Sequence, residues 1–317
     1  MAKILINDGM HADGKTLLEQ AGHEVHTTTI PQEELPTQLP GYDAIIVRSA
    51  TKVREALIDQ CPNLKIIARG GVGLDNIDVA YAKDKGVEVM NTPAASSASV
   101  GELAFGHFFS LARSLHHSNR EMPNQGNTAF KKLKKKYSSG GTELGGKTLG
   151  VIGIGRIGQQ TARIGLSLGM NVLPVDLFIK EVDININIQG VADPITVTLP
   201  SVSMEEMLAQ ADYIALHVPS TGKPIIGEAE FAKMKDGVFI VNPSRGGTID
   251  EDALLVALNS GKVGGAGLDV FVNEPTPRQD LLEHPNISLT PHIGGSTKEA
   301  QRNIGLELAG KINAFFA

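Results

Sequence analysis

The chain has 317 residues, of which 41% are hydrophobic and 20% charged, and its formal net charge is −6. That is enough apolar chain for two ordinary globular domains, and the acidic balance gives no support to a general nucleic-acid role. No apolar run approaches the roughly 20 residues of a membrane span, Asp8 arrives too early for a signal peptide, and Cys61 stands alone, so a cytoplasmic protein without an internal disulfide is expected.

The first segment alternates strand and helix candidates. Ile4-Leu5-Ile6 and residues 24–29, 44–47, 64–68 and 87–90 read as short buried strands. Helix-length stretches at 14–20, 55–60 and 77–85 separate them. This alternation predicts a parallel, doubly wound sheet, in which ligands bind beyond the carboxyl ends of the strands. Arg48 and Arg69 stand at two such ends, the second beside Gly70-Gly71-Val72-Gly73. A guanidinium at a strand end, close to a glycine loop, is well placed for an anion.

Residues 96–118 read as one long helix. Ser99-Val100-Gly101-Glu102 fits a capping box, and Val100, Ala104, His107, Phe108, Leu111 and Leu115 then recur at helical spacing. His107 falls on that apolar face and reads as a packed histidine. Residues 122–141 are polar, with lysines at 131, 132, 134, 135 and 136, and read as a solvated loop. A cationic arm reaching an anionic substrate is the second reading of that run.

The stretch Thr148-Leu149-Gly150-Val151-Ile152-Gly153-Ile154-Gly155-Arg156-Ile157-Gly158 then joins an apolar strand to an amphipathic helix through Gly-x-Gly-x-x-Gly. This is the dinucleotide fingerprint in its required context. Gly153 permits the tight turn, Gly155 lets backbone approach a pyrophosphate, and Gly158 lets helix and strand pack closely. The amphipathic segment from Gln159 to Leu168 reads as the helix whose N-terminus offers unpaired N–H groups to the pyrophosphate. The next strand candidate ends at Asp176, whose carboxylate can accept from the ribose hydroxyls of NAD and would repel the extra phosphate of NADP.

Further strands are expected at 195–199, 213–218, 238–242, 266–270 and 287–290, and an extended segment at 184–188 has no assigned place. A second capping box, Ser296-Thr297-Lys298-Glu299, precedes an apolar stripe of Ala300, Ile304, Leu308 and Ile312. Three strand-end motifs each deliver a polar group: Asn242-Pro243-Ser244-Arg245-Gly246-Gly247, Leu268-Asp269 through Asn273-Glu274-Pro275, and Thr290-Pro291-His292-Ile293-Gly294-Gly295. Arg245 can bind a carboxylate bidentately. His292 can exchange a proton near neutral pH, Glu274 can hold it, and Asp269 is placed to meet the nicotinamide end of a cofactor. Downstream of a fingerprint, this set points to hydride transfer.

In these motifs the chain resembles the D-2-hydroxyacid dehydrogenase family over nearly its whole length. The resemblance also rests on Val47-Arg48-Ser49-Ala50-Thr51-Lys52-Val53, Gly73-Leu74-Asp75-Asn76-Ile77-Asp78 and Val89-Met90-Asn91-Thr92-Pro93, together with residues 141–150 and 291–301. It implies Arg245 as carboxylate anchor, Glu274 as partner and His292 as acid–base. It implies NAD bound by Gly153, Gly155, Arg156, Ile157, Gly158, Asp176, Asp269, His292 and Gly294, and a substrate site at Arg48, Ser49, Arg69, Gly71, Val72 and Arg245. Val72 departs from the hydroxyl residue common there among members that act on phosphorylated substrates. No metal site is assigned.

The implied fold is α/β, with a Rossmann-like NAD domain (98–290) inserted into a discontinuous flavodoxin-like substrate domain (1–97 and 291–317). The implied activity is oxidation of D-3-phosphoglycerate to 3-phosphohydroxypyruvate, the entry to serine biosynthesis, by a homodimer joined through the NAD domain. Glycerate with hydroxypyruvate, D-lactate with pyruvate, and a dinucleotide-sensing, corepressor-like binding protein stay open. The segment 178–203 is longer than the family pattern suggests.

Overall fold

The computed structural model describes residues 1–138 and 140–317. The backbone forms two compact units, Met1–Ser99 with Gly295–Ala317, and Val100–Gly294.

The first unit opens with β1 (Lys3–Ile6), α1 (Ala12–Gln20), β2 (Glu24–His26), α2 (Leu35–Gln38) and β3 (Ala44–Val47). It continues through α3 (Glu55–Asp59), β4 (Ile66–Arg69), α4 (Val79–Asp84) and β5 (Glu88–Asn91). The five strands make one parallel sheet in the order β2-β1-β3-β4-β5, the flavodoxin-like order. All four residues of β3 are buried, because a central parallel strand is covered on both faces. Its side chains alternate between two cores: Ile45 and Val47 join Leu57 and Ile67, while Ala44 and Ile46 join Ile4 and Leu308.

The second unit begins with α5 (Ser97–Ala112), whose first turn still belongs to the first unit, and α6 (Leu115–Tyr137). There follow β6 (Thr148–Ile152), α7 (Arg156–Ser167), β7 (Asn171–Val175), β8 (Glu181–Ile186) and β9 (Ile195–Pro200). The remainder is α8 (Met204–Gln210), β10 (Tyr213–Leu216), α9 (Glu228–Lys233), β11 (Val238–Asn242), α10 (Glu251–Ser260), β12 (Val263–Leu268), α11 (Gln279–Glu283) and β13 (Ile287–Leu289). Six strands form a parallel sheet ordered β13-β12-β11-β10-β6-β7. Strand β10 again feeds two cores, with Ile214 and Leu216 on one face and Tyr213 and Ala215 on the other. The chain returns to the first unit through α12 (Lys298–Phe316), which packs on α1 so closely that a Cβ at Gly14 would lie 2.6 Å from the Gly305 carbonyl carbon. Both sheets are the parallel, doubly wound α/β architecture expected from the sequence, flavodoxin-like in the first unit and Rossmann-like in the second.

Several local expectations are corrected. The polar stretch expected as a loop over 122–141 is helical as far as Tyr137, within α6, and its residue 139 lies outside the described residues. Lysine and glutamine are good helix formers, and Leu133 supplies a buried anchor, so polarity alone misled. The helix kinks at Ala129, where φ is −128° and ψ 22°. Lys136 consequently bonds Glu121 at 2.6 Å, although fifteen residues of straight helix would separate them by roughly 22 Å. Residues 96–118 are not one helix either. Ser114 adopts φ 51° and divides α5 from α6, with no glycine or proline to announce the break.

Neither predicted capping box stands as read. Ser99 lies inside α5 and its hydroxyl meets that of Thr297 at 2.7 Å. Thr297, not Ser296, caps α12 by accepting from Ala300 N–H at 3.1 Å. The segment 178–203 folds as an antiparallel hairpin, β8 with β9, outside the parallel sheet. Asp183–Thr198 and Asn185–Thr196 hydrogen bonds tie its outer face, while Ile184 and Leu199 are buried in the α7-side core. Among the described residues no helix is long and apolar enough to cross a membrane, and no cluster of His, Cys, Asp and Glu could hold a metal.

Candidate active site

The β6–α7 turn brings the fingerprint glycines together, each for a different reason. Gly153 has φ +88°, and a Cβ there would lie 2.6 Å from the His217 carbonyl oxygen. A Cβ at Gly158 would run into the Gly153 carbonyl oxygen, so helix and turn can touch only without one. Gly155 is the opposite case: a Cβ would meet nothing within 4 Å, leaving its outer side open for a ligand. Gly155 caps α7 without a side-chain bond, and the first intrahelical bond is Gln159 N–H to Gly155 O at 2.9 Å. The amides of Arg156, Ile157 and Gly158 precede it and face the helix N-terminus, where a pyrophosphate is favoured.

Asp176 closes β7. Its carboxylate accepts from Ile154 N–H at 3.0 Å, Phe178 N–H at 2.9 Å and Ile179 N–H at 3.1 Å. Burial opposes the charge, but these three amides and Lys180 outweigh it and hold the carboxyl below its ordinary range. An ionised carboxylate with lone pairs to spare beside the glycine turn suits a ribose diol. These residues fit a dinucleotide.

Further along the sheet, β11, β12 and β13 end at Asn242, Leu268 and Leu289 and deliver the other groups. Arg245 follows β11. Its carbonyl oxygen accepts from the Asn242 amide at 2.9 Å and the Thr248 hydroxyl at 2.8 Å, which fixes the backbone beneath the guanidinium. A Cβ at the neighbouring Gly246 would collide with the Phe271 carbonyl, so the Arg245 and Glu274 loops lie against each other.

Glu274 and His292 meet between Oε2 and Nδ1 at 2.7 Å. The other Glu274 oxygen accepts from Phe271 N–H at 2.9 Å. Burial raises the Glu274 pKa, yet the bonds from His292 and Phe271 and the charges of His292 and Arg245 together bring it below the ordinary value. Asp269 lies under His292 and is 1% exposed. Its carboxylate accepts from the Thr290 hydroxyl at 2.7 Å and from the Ile293 and Gly294 amides, each at 2.8 Å, and its carbonyl takes His292 N–H at 2.8 Å. Burial nonetheless dominates and raises the Asp269 pKa. Beside this pair, Phe271, Pro275, Leu282, Leu289 and Pro291 line a cleft of about 370 Å³.

In the first unit, Arg48 follows β3 and Arg69 ends the adjacent β4, where Val47 pairs with Arg69. Asp8 holds the Arg48 loop by accepting from Arg48 N–H at 2.7 Å and Thr51 N–H at 3.0 Å. From the other side, the Asn76 amide donates to Arg48 O at 2.8 Å and Thr51 O at 2.6 Å. Ser49 is exposed on this loop. Gly71 has φ +148°, and the Arg69 guanidinium occupies the space a Cβ would need. The Val72 carbonyl accepts from the Asn91 amide at 2.6 Å.

Sequence reasoning gave no role to Asp8, Asn76, Asn242 or His217. Polar residues terminating apolar runs were the available signal for Asp8 and Asn242. His217 donates its N–H to Ile152 O at 2.7 Å, and its Nε2 meets the Thr161 hydroxyl at 2.8 Å behind the glycine turn. Burial drives its pKa down to about 3 and keeps it neutral.

A doubly wound unit with this turn, a carboxylate ending the second strand and a hydrogen-bonded Glu–His pair at the far strand ends fits a dinucleotide-dependent oxidoreductase. Residues 105–294 match the family described as D-isomer specific 2-hydroxyacid dehydrogenase, NAD binding domain, and the chain belongs to that family. It is an NAD-dependent enzyme of that class. A hydroxypyruvate reductase from Thermotoga maritima is 43% identical, with 98% of this chain and 97% of that protein covered. A D-3-phosphoglycerate dehydrogenase from Methanocaldococcus jannaschii is 42% identical over 98% of this chain, which spans only 57% of that relative's length. Among solved structures, the holo D-mandelate dehydrogenase of Rhodotorula graminis superposes with a TM-score of 0.85 at 26% identity, covering 99% of this chain and 94% of that one.

Proposed function

We propose that the chain interconverts D-3-phosphoglycerate and 3-phosphohydroxypyruvate with NAD, using Arg245, Glu274 and His292. The observation that carries the reaction is the 2.7 Å Glu274–His292 pair with the charge of Arg245 felt at the same carboxylate. NAD, when bound, supplies the hydride acceptor. Arg245 anchors the substrate carboxylate and polarises the adjacent C–O bond. His292 takes the hydroxyl proton at Nε2 during oxidation and returns it during reduction, since Nδ1 is committed to Glu274. Glu274 orients the ring and balances the imidazolium charge. Asp269, with the Gly294 amide on its carboxylate, meets the nicotinamide end.

Recognition of the phosphate is assigned to Arg48 and Arg69, with Ser49, Gly71 and Val72 shaping the same strand ends. A second reading, hydroxypyruvate in place of its phosphorylated form, is favoured by the full-length likeness to the Thermotoga hydroxypyruvate reductase. The protein acts in the cytoplasm as a homodimer through its NAD-binding unit, where Phe109, Leu115, Met122 and Phe130 are exposed. NADH oxidation against phosphohydroxypyruvate, hydroxypyruvate and pyruvate decides the substrate, and light scattering decides the assembly. Turnover of none of the three keto acids sinks the proposal.

A further inference from the structure

Buried polar groups outside the reacting set run in one line toward His292. His107 on α5 is 2% exposed. Its Nδ1 meets the Ser288 hydroxyl at 2.9 Å and its Nε2 the Thr290 hydroxyl at 3.0 Å. Thr290 bonds Asp269 at 2.7 Å, and Asp269 holds the backbone amides of residues 292–294 through its carbonyl and carboxylate. The neighbouring strand makes room for the ring: at Gly267 a Cβ would lie 2.6 Å from the His107 Cβ. An aliphatic side chain would satisfy an apolar helix face, so an imidazole bonded at both nitrogens needs another reason.

The hydrogens can be placed along the line. The Asp269 carboxylate can only accept, so the single Thr290 hydroxyl proton points to it. The Thr290 oxygen must then accept from His107, which puts a hydrogen on Nε2. Burial lowers the His107 pKa to about 4, so the ring carries one proton and Nδ1 accepts from Ser288. The line is polarised throughout, from Ser288 through His107 and Thr290 to Asp269. At its end His292 sits at φ 54°, a left-handed conformation that a non-glycine residue holds only under constraint.

We infer that His107 is a positioning residue: its Nε2–H fixes the Thr290 hydroxyl on Asp269, and Asp269 in turn fixes the loop that presents His292. This rests on the proposed role of His292, but it can be tested separately. His107→Leu removes the donor, whereas His107→Gln returns an amide N–H at about the reach of Nε2. Thr290→Val breaks the next link and serves if the leucine variant does not fold.

In the cofactor-free protein, amide hydrogen exchange at Ile293 and Gly294 should speed up roughly tenfold in His107→Leu and in Thr290→Val, the loss of about one hydrogen bond, and stay near wild type in His107→Gln. Reductive kcat should follow the same order, while affinity for ADP-ribose, held at the β6–α7 turn, stays unchanged. Unchanged exchange in both His107→Leu and Thr290→Val overturns the inference. So does loss of ADP-ribose binding in parallel with the faster exchange, since that reports loosening of the whole unit. A wild type that reduces no keto acid removes the proposed function but leaves the exchange result to decide the role of His107.

Discussion

Glu274 and His292, 18 residues apart on loops after β12 and β13, are joined by a 2.7 Å bond through Nδ1 of the imidazole. The bond commits Nδ1 and leaves Nε2 for the proton transfer proposed above. Glu274→Gln keeps the shape and much of the hydrogen-bonding capacity but removes the charge. Reductive kcat should fall about ten- to a hundredfold, the scale of one charge-assisted hydrogen bond. Activity equal to wild type would mean that the carboxylate charge is irrelevant to His292.

The same carboxylate gives a stability signature. Glu274 is held below its ordinary 4.5 in the folded state. A depressed acid contributes stability that is complete above the unfolded pKa and lost as pH falls through the folded one. Wild type should therefore melt above Glu274→Gln at neutral pH, and the gap should close only on acidification below 4.5. A gap constant across that acid range would contradict the assignment.

Cofactor choice should depend on Asp176, whose carboxyl stays ionised below the ordinary range. Wild type should prefer NADH to NADPH, because a 2′-phosphate would face that charge. Asp176→Asn should narrow the preference by about tenfold, measured as the ratio of kcat/KM values. Equal use of both cofactors by wild type would end this reading.

The fingerprint glycines should separate fold from binding. Gly158→Ala forces a Cβ onto the Gly153 carbonyl, so it should lower the melting temperature through overpacking of about 1–3 kcal/mol. Gly155→Ala meets no protein atom within 4 Å and should melt like wild type while binding NADH far more weakly. Calorimetry with NADH titration checks both, and matched losses in the two variants would refute the distinction.

Arg48→Ala tests the substrate. Its backbone is tethered by Asp8 and Asn76, so only the guanidinium should be lost. KM for phosphohydroxypyruvate should rise about ten- to a hundredfold, and that for hydroxypyruvate much less. Parallel changes would favour the unphosphorylated substrate.

The strands, the glycine turn and the polar strand ends were legible in the chain because each is local. An apolar run such as Ala44-Ile45-Ile46-Val47 declares a doubly covered strand by itself, and Gly-x-Gly-x-x-Gly declares a turn whose conformation only glycine tolerates. The break at Ser114, the fold-back of α6 and the cap at Thr297 were not legible. Serine carries no strong signal for a break and alanine favours helix, so nothing in the local sequence marks the left-handed Ser114 or the non-helical Ala129.

The site divides in the same way. Arg245, Glu274 and His292 could be singled out as candidates from the sequence, since each follows an apolar run within a recognisable motif. Their geometry could not. His107 read as packing because a single helix face shows only its own periodicity. That its imidazole spans Ser288 and Thr290, 181 and 183 residues away, follows from the placement of α5 beside β13 and the space left at Gly267. Sequence supplied the donors and acceptors, and only the packed sheet brought them within the 3 Å or so at which they bond.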